Sequence, residues 1–411
     1  MTTLEDTSKL GNWSRIEGDF DPSTALLPDP SPRRRRHTII SVDDHLVEPP
    51  DLFTKRLPAA YQDRAPRVVE EDGRQYWLID GGLELNVGAN AASGRSPDAP
   101  LGGISVRFDE MRRGTWDPDE RVRDMDINGV YASLAFPSMV FSFAGQRFMR
   151  MRDPKLGRLC VEAYNDWVID EWVAAHPDRL IPNQLTWLSD AELAAAEIRR
   201  NAERGFHAVS FSENPEKLGL PSLHTGYWDP FLAACEETTT VLNLHVGSSS
   251  QVMHPSSDAP VDTVTALFSV NSMLATVDWI YTGIPLRFPN IKIALSEGGI
   301  GWVPMILDRL DFLYDRPRTS TWTDSLSPSD VLQRNFWFAT LWDPSIFALR
   351  ERIGIDHIML EVDYPHVDST WPDTQDLVDE HLKGVPDDDV RKITCLNAAA
   401  LYQHPLPDDL I

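Results

Sequence analysis

Eight short apolar runs, separated by longer amphipathic stretches, constrain this chain more than any other feature. They are TIISVD (38–43), VYASLAF (130–136), LIPNQLTW (180–187), HAVSF (207–211), TVLNLHV (240–246), IKIALSE (291–297), FWFAT (336–340) and HIMLEVD (357–363). Runs this short and this continuously apolar read as parallel strands buried on both faces. Between them, PKLGRLCVEAYNDWVIDEWVAA (154–175) carries apolar residues at helical spacing. DAELAAAEIRRNAER (190–204) opens on an N-cap, Asp190, and stops at Gly205. Residues 299–314 and 386–402 look similar. Alternation repeated this often predicts an α/β fold, a (β/α)8 TIM barrel rather than an open sheet.

Two stretches stand outside the alternation. Residues 1–36 are polar, rich in Asp, Pro and Arg, and without periodicity, so they read as a disordered N-terminal tail ahead of a barrel over 37–405. The dense basic run Arg33 to Arg36 sits in that Pro-rich stretch and reads as a solvated linker. Residues 46–118 hold a hairpin, RQYWLIDGGLELNV, with its turn placed at Gly81-Gly82, and a Gly/Ser/Pro-rich segment. An insertion after the first strand would lie over the barrel mouth as a cap or lid, or else form a loop packed away from the chemistry.

Charge narrows the partners. A net charge of −25 argues against a nucleic-acid backbone, which needs a basic patch. No apolar run is long enough to span a bilayer, and the N-terminus lacks a charged-then-apolar leader, so the expected location is cytoplasmic. Cys160, Cys235 and Cys395 are widely spaced and odd in number, so buried inert thiols are expected rather than a disulfide framework.

Barrel enzymes carry their chemistry at the C-terminal ends of the strands. Here the first strand ends Asp43-Asp44-His45, and the fourth runs out into Ser212-Glu213-Asn214. The fifth carries His245, the sixth ends Ser296-Glu297-Gly298-Gly299, and the last ends Asp363-Tyr364-Pro365-His366. Singly, each has a plain structural explanation as a helix cap, a turn former or a hydrogen-bonded core group. Together they would crowd carboxylates at one mouth, which repulsion makes costly unless cations neutralise them. Asp43 and His45, two apart on an extended segment, point to one face and can grip an ion together.

VDDHLVEP (42–49), LNLHVG (242–247), LSEGGIGWVP (295–304) and VDYPH (362–366) resemble the amidohydrolase superfamily, in the branch that includes aminocarboxymuconate-semialdehyde decarboxylase. The resemblance spreads over most of residues 38–400 and implies a (β/α)8 barrel with one or two divalent ions at its mouth. It implies Asp43, His45, His245, Glu297 and Asp363 as metal ligands, with Asp363 and His245 as catalytic groups. Glu213, His224 and His366 are weaker candidates. Asp43 and Glu297 stand where the family pattern has histidines, which makes the donor set oxygen-rich. Such sets suit iron or manganese better than zinc, and their extra negative charge points to two ions rather than one.

Three functions follow as expectations. The first is a dinuclear iron or manganese–iron monooxygenase acting on a carboxylic acid or acyl thioester. The second is a metal-dependent hydrolase, with zinc, or a non-oxidative decarboxylase, in which one ion polarises substrate or water and Asp363 shuttles the proton. The third is a catalytically silent partner subunit. The ligand set tips the balance narrowly to the first. A small-molecule substrate and a homo-oligomer are expected, with no nucleic-acid or membrane partner. Tyr164-Asn165-Asp166-Trp167 reads as helix packing plus a helix-surface hydrogen bond, with Asn165 reaching the mouth as the alternative. Trp302, Trp337 and Trp342 read as core.

Overall fold

The computed structural model describes residues 25–86, 88–99, 106–256, 258–316, 320–340 and 342–407. Every apolar run named above forms strand. In chain order the strands are β1 (Ile40–His45), β2 (Arg67–Glu71), β3 (Arg74–Ile79), β4 (Gly82–Leu85), β5 (Ala132–Phe136), β6 (Leu180–Ile181), β7 (Asn183–Leu185), β8 (Ala208–Phe211), β9 (Val241–His245), β10 (Ile293–Ser296), β11 (Phe336–Thr340) and β12 (Ile358–Leu360).

Parallel pairing runs β1-β5-β6 and, in a second sheet, β12-β11-β10-β9-β8-β7. Pro182 lies between β6 and β7, where a residue with no N–H interrupts the ladder. The other seam is bridged past the last strand: Asp363 N–H donates to Asp43 O at 2.8 Å, and His45 N–H donates to Tyr364 O at 2.6 Å. Apart from β6, which runs on into β7, each strand of these two sheets is followed by helical chain, the arrangement of a TIM barrel. All six residues of β1 are buried, and β5, β8, β9 and β10 are buried throughout. That burial on both faces is why these segments lack alternation.

The helices begin where their caps place them. Asp190 accepts from the N–H groups of Glu192 and Leu193, both at 3.0 Å, and opens helix Ala191–Ala202. Asn165, on helix Pro154–Trp167, is buried in packing and belongs to none of the ligand clusters found among the described residues. Its amide accepts from Leu185 N–H at 2.8 Å and donates to Leu185 O at 3.1 Å, locking that helix to β7. Cys160, Cys235 and Cys395 are buried and unpaired.

Several expectations need correction. The hairpin turns at Asp80-Gly81, not Gly81-Gly82: Ile79 pairs with Gly82, and the two turn residues have φ of 53° and 80°. Two positive φ values suit the right-handed twist of the flanking strands, and Asp-Gly satisfies them. A second turn of this kind, Asp72-Gly73, joins β2 to β3, so the insertion holds a three-stranded antiparallel sheet. Trp302 is core at 7 % exposure, whereas Trp342 is 61 % exposed and packs edge-on against His381.

Residues 1–24 of the expected tail lie outside the described residues. From residue 25 the chain is held down. Ala25 is buried, and Leu27 N–H donates to Gly94 O at 2.9 Å. Arg33 pairs with Asp373 at 2.6 Å, while Arg36 pairs with Asp376 and Asp379. The basic run is therefore no free linker; it straps the acidic start of helix Thr374–His381.

Candidate metal centre

The first strand does more than end in polar residues. Ser41 pairs with Ser133 and Asp44 with Ala135, so β1 spends an extra residue against β5 between those pairs. Such a bulge bends the strand and re-aims its side chains. Asp43 and His45 turn inward, with His45 Nε2 at 3.5 Å from Asp43 Oδ1. Asp44 turns the other way. Its Oδ1 accepts from Ser41 Oγ at 2.9 Å and from Tyr364 N–H at 3.2 Å, tying β1 to the chain beyond β12.

Beneath Asp44 lies Arg121, a fully buried arginine on helix Pro118–Asn128. Its guanidinium donates to His45 O and, at 2.7 Å, to Gly114 O, and stands 3.9 Å from Asp44 Oδ2. Burial pushes the Asp44 carboxyl up to about 6, and the arginine works against that rise. One cation thus braces the backbone that presents Asp43 and His45.

The remaining groups arrive from three strand ends. His245 Nε2 lies 3.2 Å from His45 Nε2 and 3.4 Å from Asp43 Oδ2. Asp363 Oδ1 lies 3.2 Å from His45 Nε2 and 3.0 Å from His366 Nδ1. The His366 ring stacks on His45 with centroids 3.6 Å apart. Glu297 Oε2 stands 3.6 Å from His245 Nδ1. Phe143 packs on His245 at 4.1 Å between centroids and Phe136 at 5.0 Å, giving the centre an apolar wall.

The two outer acids sit on unusual backbone. Glu297 has φ of 61° and Asp363 of 55°, the left-handed region that non-glycine residues enter at a cost. The residues around Glu297 show why its loop is glycine-rich. A Cβ on Gly298 would meet Ser272 Oγ at 2.0 Å, and one on Gly299 would meet Asp343 Oδ2 at 2.9 Å. Gly298→Ala is expected to destabilise the fold by about 1–3 kcal/mol, the usual range for overpacking. Urea unfolding checks this; stability equal to wild type would show that Ser272 yields freely.

No ordinary hydrogen bonding satisfies this cluster. Both oxygens of Asp43, both of Asp363 and Nε2 of His366 are buried without a hydrogen-bond partner. Burial, then the charges of Glu361 and Glu297, pushes the Asp43 carboxyl well up. Burial, then Asp368, Glu297 and Asp43, does the same for Asp363. Burial pulls the imidazoles down, His245 to about 3 and His366 to about 4, so neither supplies a neutralising charge. Neutral imidazoles and orphaned carboxylate oxygens are the donors a divalent cation takes. Asp43, His45 and His245 bring their ligand atoms within 4.8 Å of one another, and so do His45, Asp363 and His366. The donor set fits a metal ion.

Two weaker candidates stand elsewhere. His224 pairs with Asp278 Oδ1 at 2.8 Å, its side chain half exposed, and joins none of the clusters found among the described residues. Glu213 belongs to none either. Its Oε1 accepts from Ser249 Oγ at 2.8 Å, Asn271 Nδ2 at 3.1 Å and Gly247 N–H at 3.3 Å. It forms one wall of a cavity of about 520 Å³ with Asn214, Ser249, Gln251, His254 and Asn271. Asp368 and Glu361 were not picked out from the sequence. Asp368 follows His366 by two residues on the same loop, a legible signal, whereas Glu361 reads as part of an apolar strand.

The sequence matches the family model described as Amidohydrolase over residues 47–403. The chain belongs to the amidohydrolase family. The match starts just past His45 and so does not include Asp43 and His45. Among curated proteins, the amidohydrolase is similar to 2-amino-3-carboxymuconate-6-semialdehyde decarboxylase of Dictyostelium discoideum. The two are 23 % identical over 271 residues, 63 % of this chain and 69 % of the relative. Among solved structures, an amidohydrolase from Mycobacterium avium subsp. paratuberculosis superposes with a TM-score of 0.69 at 21 % identity, covering 89 % of this chain and 99 % of the other. The 5-carboxyvanillate decarboxylase of Novosphingobium aromaticivorans, solved with manganese and 4-hydroxy-3-methoxy-5-nitrobenzoic acid, gives 0.62 at 17 % identity, covering 92 % and 100 %. These structures share the fold of the present amidohydrolase. Among its described residues, no helix is long and apolar enough to cross a membrane.

Proposed function

We propose that this amidohydrolase is a metal-dependent, non-oxidative decarboxylase of a small carboxylic acid. The observation that carries the proposal is the set of buried, unpartnered carboxylate oxygens on Asp43 and Asp363 beside the neutral imidazoles of His45 and His245. Asp43, His45 and His245 would hold the ion, with Asp363 beside them. A divalent ion bound there supplies Lewis-acid polarisation of the substrate oxygens. The protein's own groups do the rest.

Asp363 is the proton carrier. Burial, then the neighbouring carboxylates Asp368, Glu297 and Asp43, push its carboxyl well up, toward the form that can give a proton. When the C–C bond to the carboxylate breaks, its electron pair stays on the substrate carbon and carbon dioxide departs. The Asp363 proton then goes to that carbon, a general-acid step. His366 Nδ1 lies beside the carboxyl, 3.0 Å from Asp363 Oδ1. Phe136 and Phe143 keep the reacting centre apolar, which favours loss of charge as carbon dioxide leaves.

Support for the oxygenase expectation, and for iron in particular, does not emerge. Two of the relatives named above are decarboxylases, one of them solved with manganese, and none is described as an oxygenase. The test is carbon dioxide release from a panel of ortho-hydroxylated benzoic acids by manganese-loaded protein, with and without oxygen. Equal release in both atmospheres, abolished by chelator and restored by manganese, is expected. A product that keeps its carboxyl and forms only with oxygen would return the reading to hydroxylation.

A further inference from the structure

Glu213, 4 % exposed, joins none of the metal-ligand clusters among the described residues, and its hydrogen bonds point to another use. Ser249 Oγ, Asn271 Nδ2 and Gly247 N–H all donate to the same oxygen, Oε1. None of the three takes up Oε2. Asn271 is itself fixed, donating to Gln251 O at 2.9 Å and accepting from Met253 N–H at 3.1 Å. The carboxylate is thus held in one pose by groups that have no freedom to turn.

The cavity that Glu213 lines runs alongside the metal centre. Gly247, whose N–H meets Glu213, lies two residues past His245 at the end of β9. Asn271 lines the cavity, and its neighbour Ser272 lies against Gly298, the residue after Glu297. Burial, then the charges of Asp368, Glu361 and Glu213, push the Glu297 carboxyl well up, so Glu213 stands within electrostatic reach of that acid. Val252, Leu274 and Ala275 give the lining apolar surface. His254 adds a buried Nε2 with no hydrogen-bond partner. An apolar lining with a few fixed polar groups is how a pocket orients a small molecule.

We infer that Glu213 is the specificity residue of this enzyme, its carboxylate taking a hydrogen bond from a hydroxyl group on the substrate, remote from the carboxyl that leaves. The inference rests on the decarboxylase reading and deepens it, giving the substrate's other end a place. A neutral hydroxyl matches the neutral O–H and N–H donors that Glu213 already accepts, and Lys217 and Asp278 in the same lining offset one another. A substrate without that donor leaves a buried acceptor unpaired, which a site built for it rejects.

The experiment uses manganese-loaded full chain and pairs of ortho-hydroxylated benzoic acids that differ only in a second ring substituent, hydroxyl against methoxy. Carbon dioxide release gives kcat/KM, and titration calorimetry gives Kd whether or not turnover occurs. Assays run well above pH 7, because burial pushes the Glu213 carboxyl up to about 7 and its ionised form is a pure acceptor. Wild type is expected to favour the hydroxyl member of at least one pair by about 10–100-fold in both readouts. Size alone would also favour the smaller hydroxyl, and Glu213→Gln separates the two causes. Glutamine has the same shape and keeps a carbonyl oxygen for Ser249, Asn271 and Gly247, but it puts an amide donor in place of Oε2. That variant is expected to lose the preference, methoxy compounds gaining as hydroxyl compounds weaken. Glu213→Asp, which keeps the charge and draws the oxygens back by one methylene, should weaken the preference as well. A preference absent in wild type, or unchanged in both variants, overturns the inference; carbon dioxide release by the same samples leaves the decarboxylase reading standing. A preference in Kd that depends on Glu213, with no carbon dioxide released, keeps the specificity role and sinks the reaction.

Discussion

Replacing Asp363 by asparagine is expected to lower decarboxylase turnover by about 10²–10⁴-fold, the range that a positioned acid contributes. The change keeps the side-chain shape and most of its packing at 1 % exposure, so the loss reads chemistry rather than unfolding. An amide can offer its carbonyl oxygen to a cation but carries no transferable acidic proton and no charge. The effect should therefore fall on kcat more than on KM. Manganese content, followed in the same preparation, should stay near the wild-type level, because Asp43, His45 and His245 remain to hold the ion. Asp363→Asn that turns over at the wild-type rate would remove the proton-carrier role, whatever its metal content.

Removing the charge at Arg121 should cost more stability than any substitution on the surface. Arg121→Met is expected to lower the unfolding free energy by about 3–5 kcal/mol, because breaking a buried ion pair strands the other charge. The guanidinium sits between the rings of Tyr364 and Trp172, 4.6 and 5.1 Å from their centroids, and donates to the carbonyls of His45 and Gly114. Methionine fills much of that volume and satisfies none of those acceptors. Asp44 then faces burial with no countercharge, and its ties to Ser41 and Tyr364 loosen. Adding Asp44→Asn to Arg121→Met should recover part of the loss, since it removes the stranded charge. Denaturant unfolding of the two single variants and the double variant measures this; a loss below about 1 kcal/mol in Arg121→Met, the scale of an exposed pair, would show that Arg121 does not brace β1.

The two predictions differ in how visible their residues are before folding. Asp363 ends an apolar run, and a carboxylate at the end of a buried strand already points to a barrel mouth. Arg121 sits in DPDERVRDMDIN, an acidic and basic stretch that reads as any solvated helix. Nothing local distinguishes it from Arg123, which is exposed and pairs with Asp29. His224 shows the converse. Its neighbourhood looked as promising as that of His366, yet the loop carrying it delivers it to Asp278 on the outside.

The sequence alone determined the number and place of the barrel strands, because burial on both faces leaves continuous apolar runs that no other element of that length needs. It also marked Asp43, His45, His245, Glu297 and Asp363, since ionisable groups at the ends of such runs have few places to go but the mouth. Tertiary structure decided what those residues meet. The bulge that aims Asp43 inward, the arrival of Asp368 beside Glu297, and the brace from Arg121 all depend on contacts between segments far apart in the chain. Distances of a few ångströms between such segments are set by packing of the whole barrel, and no local pattern records them.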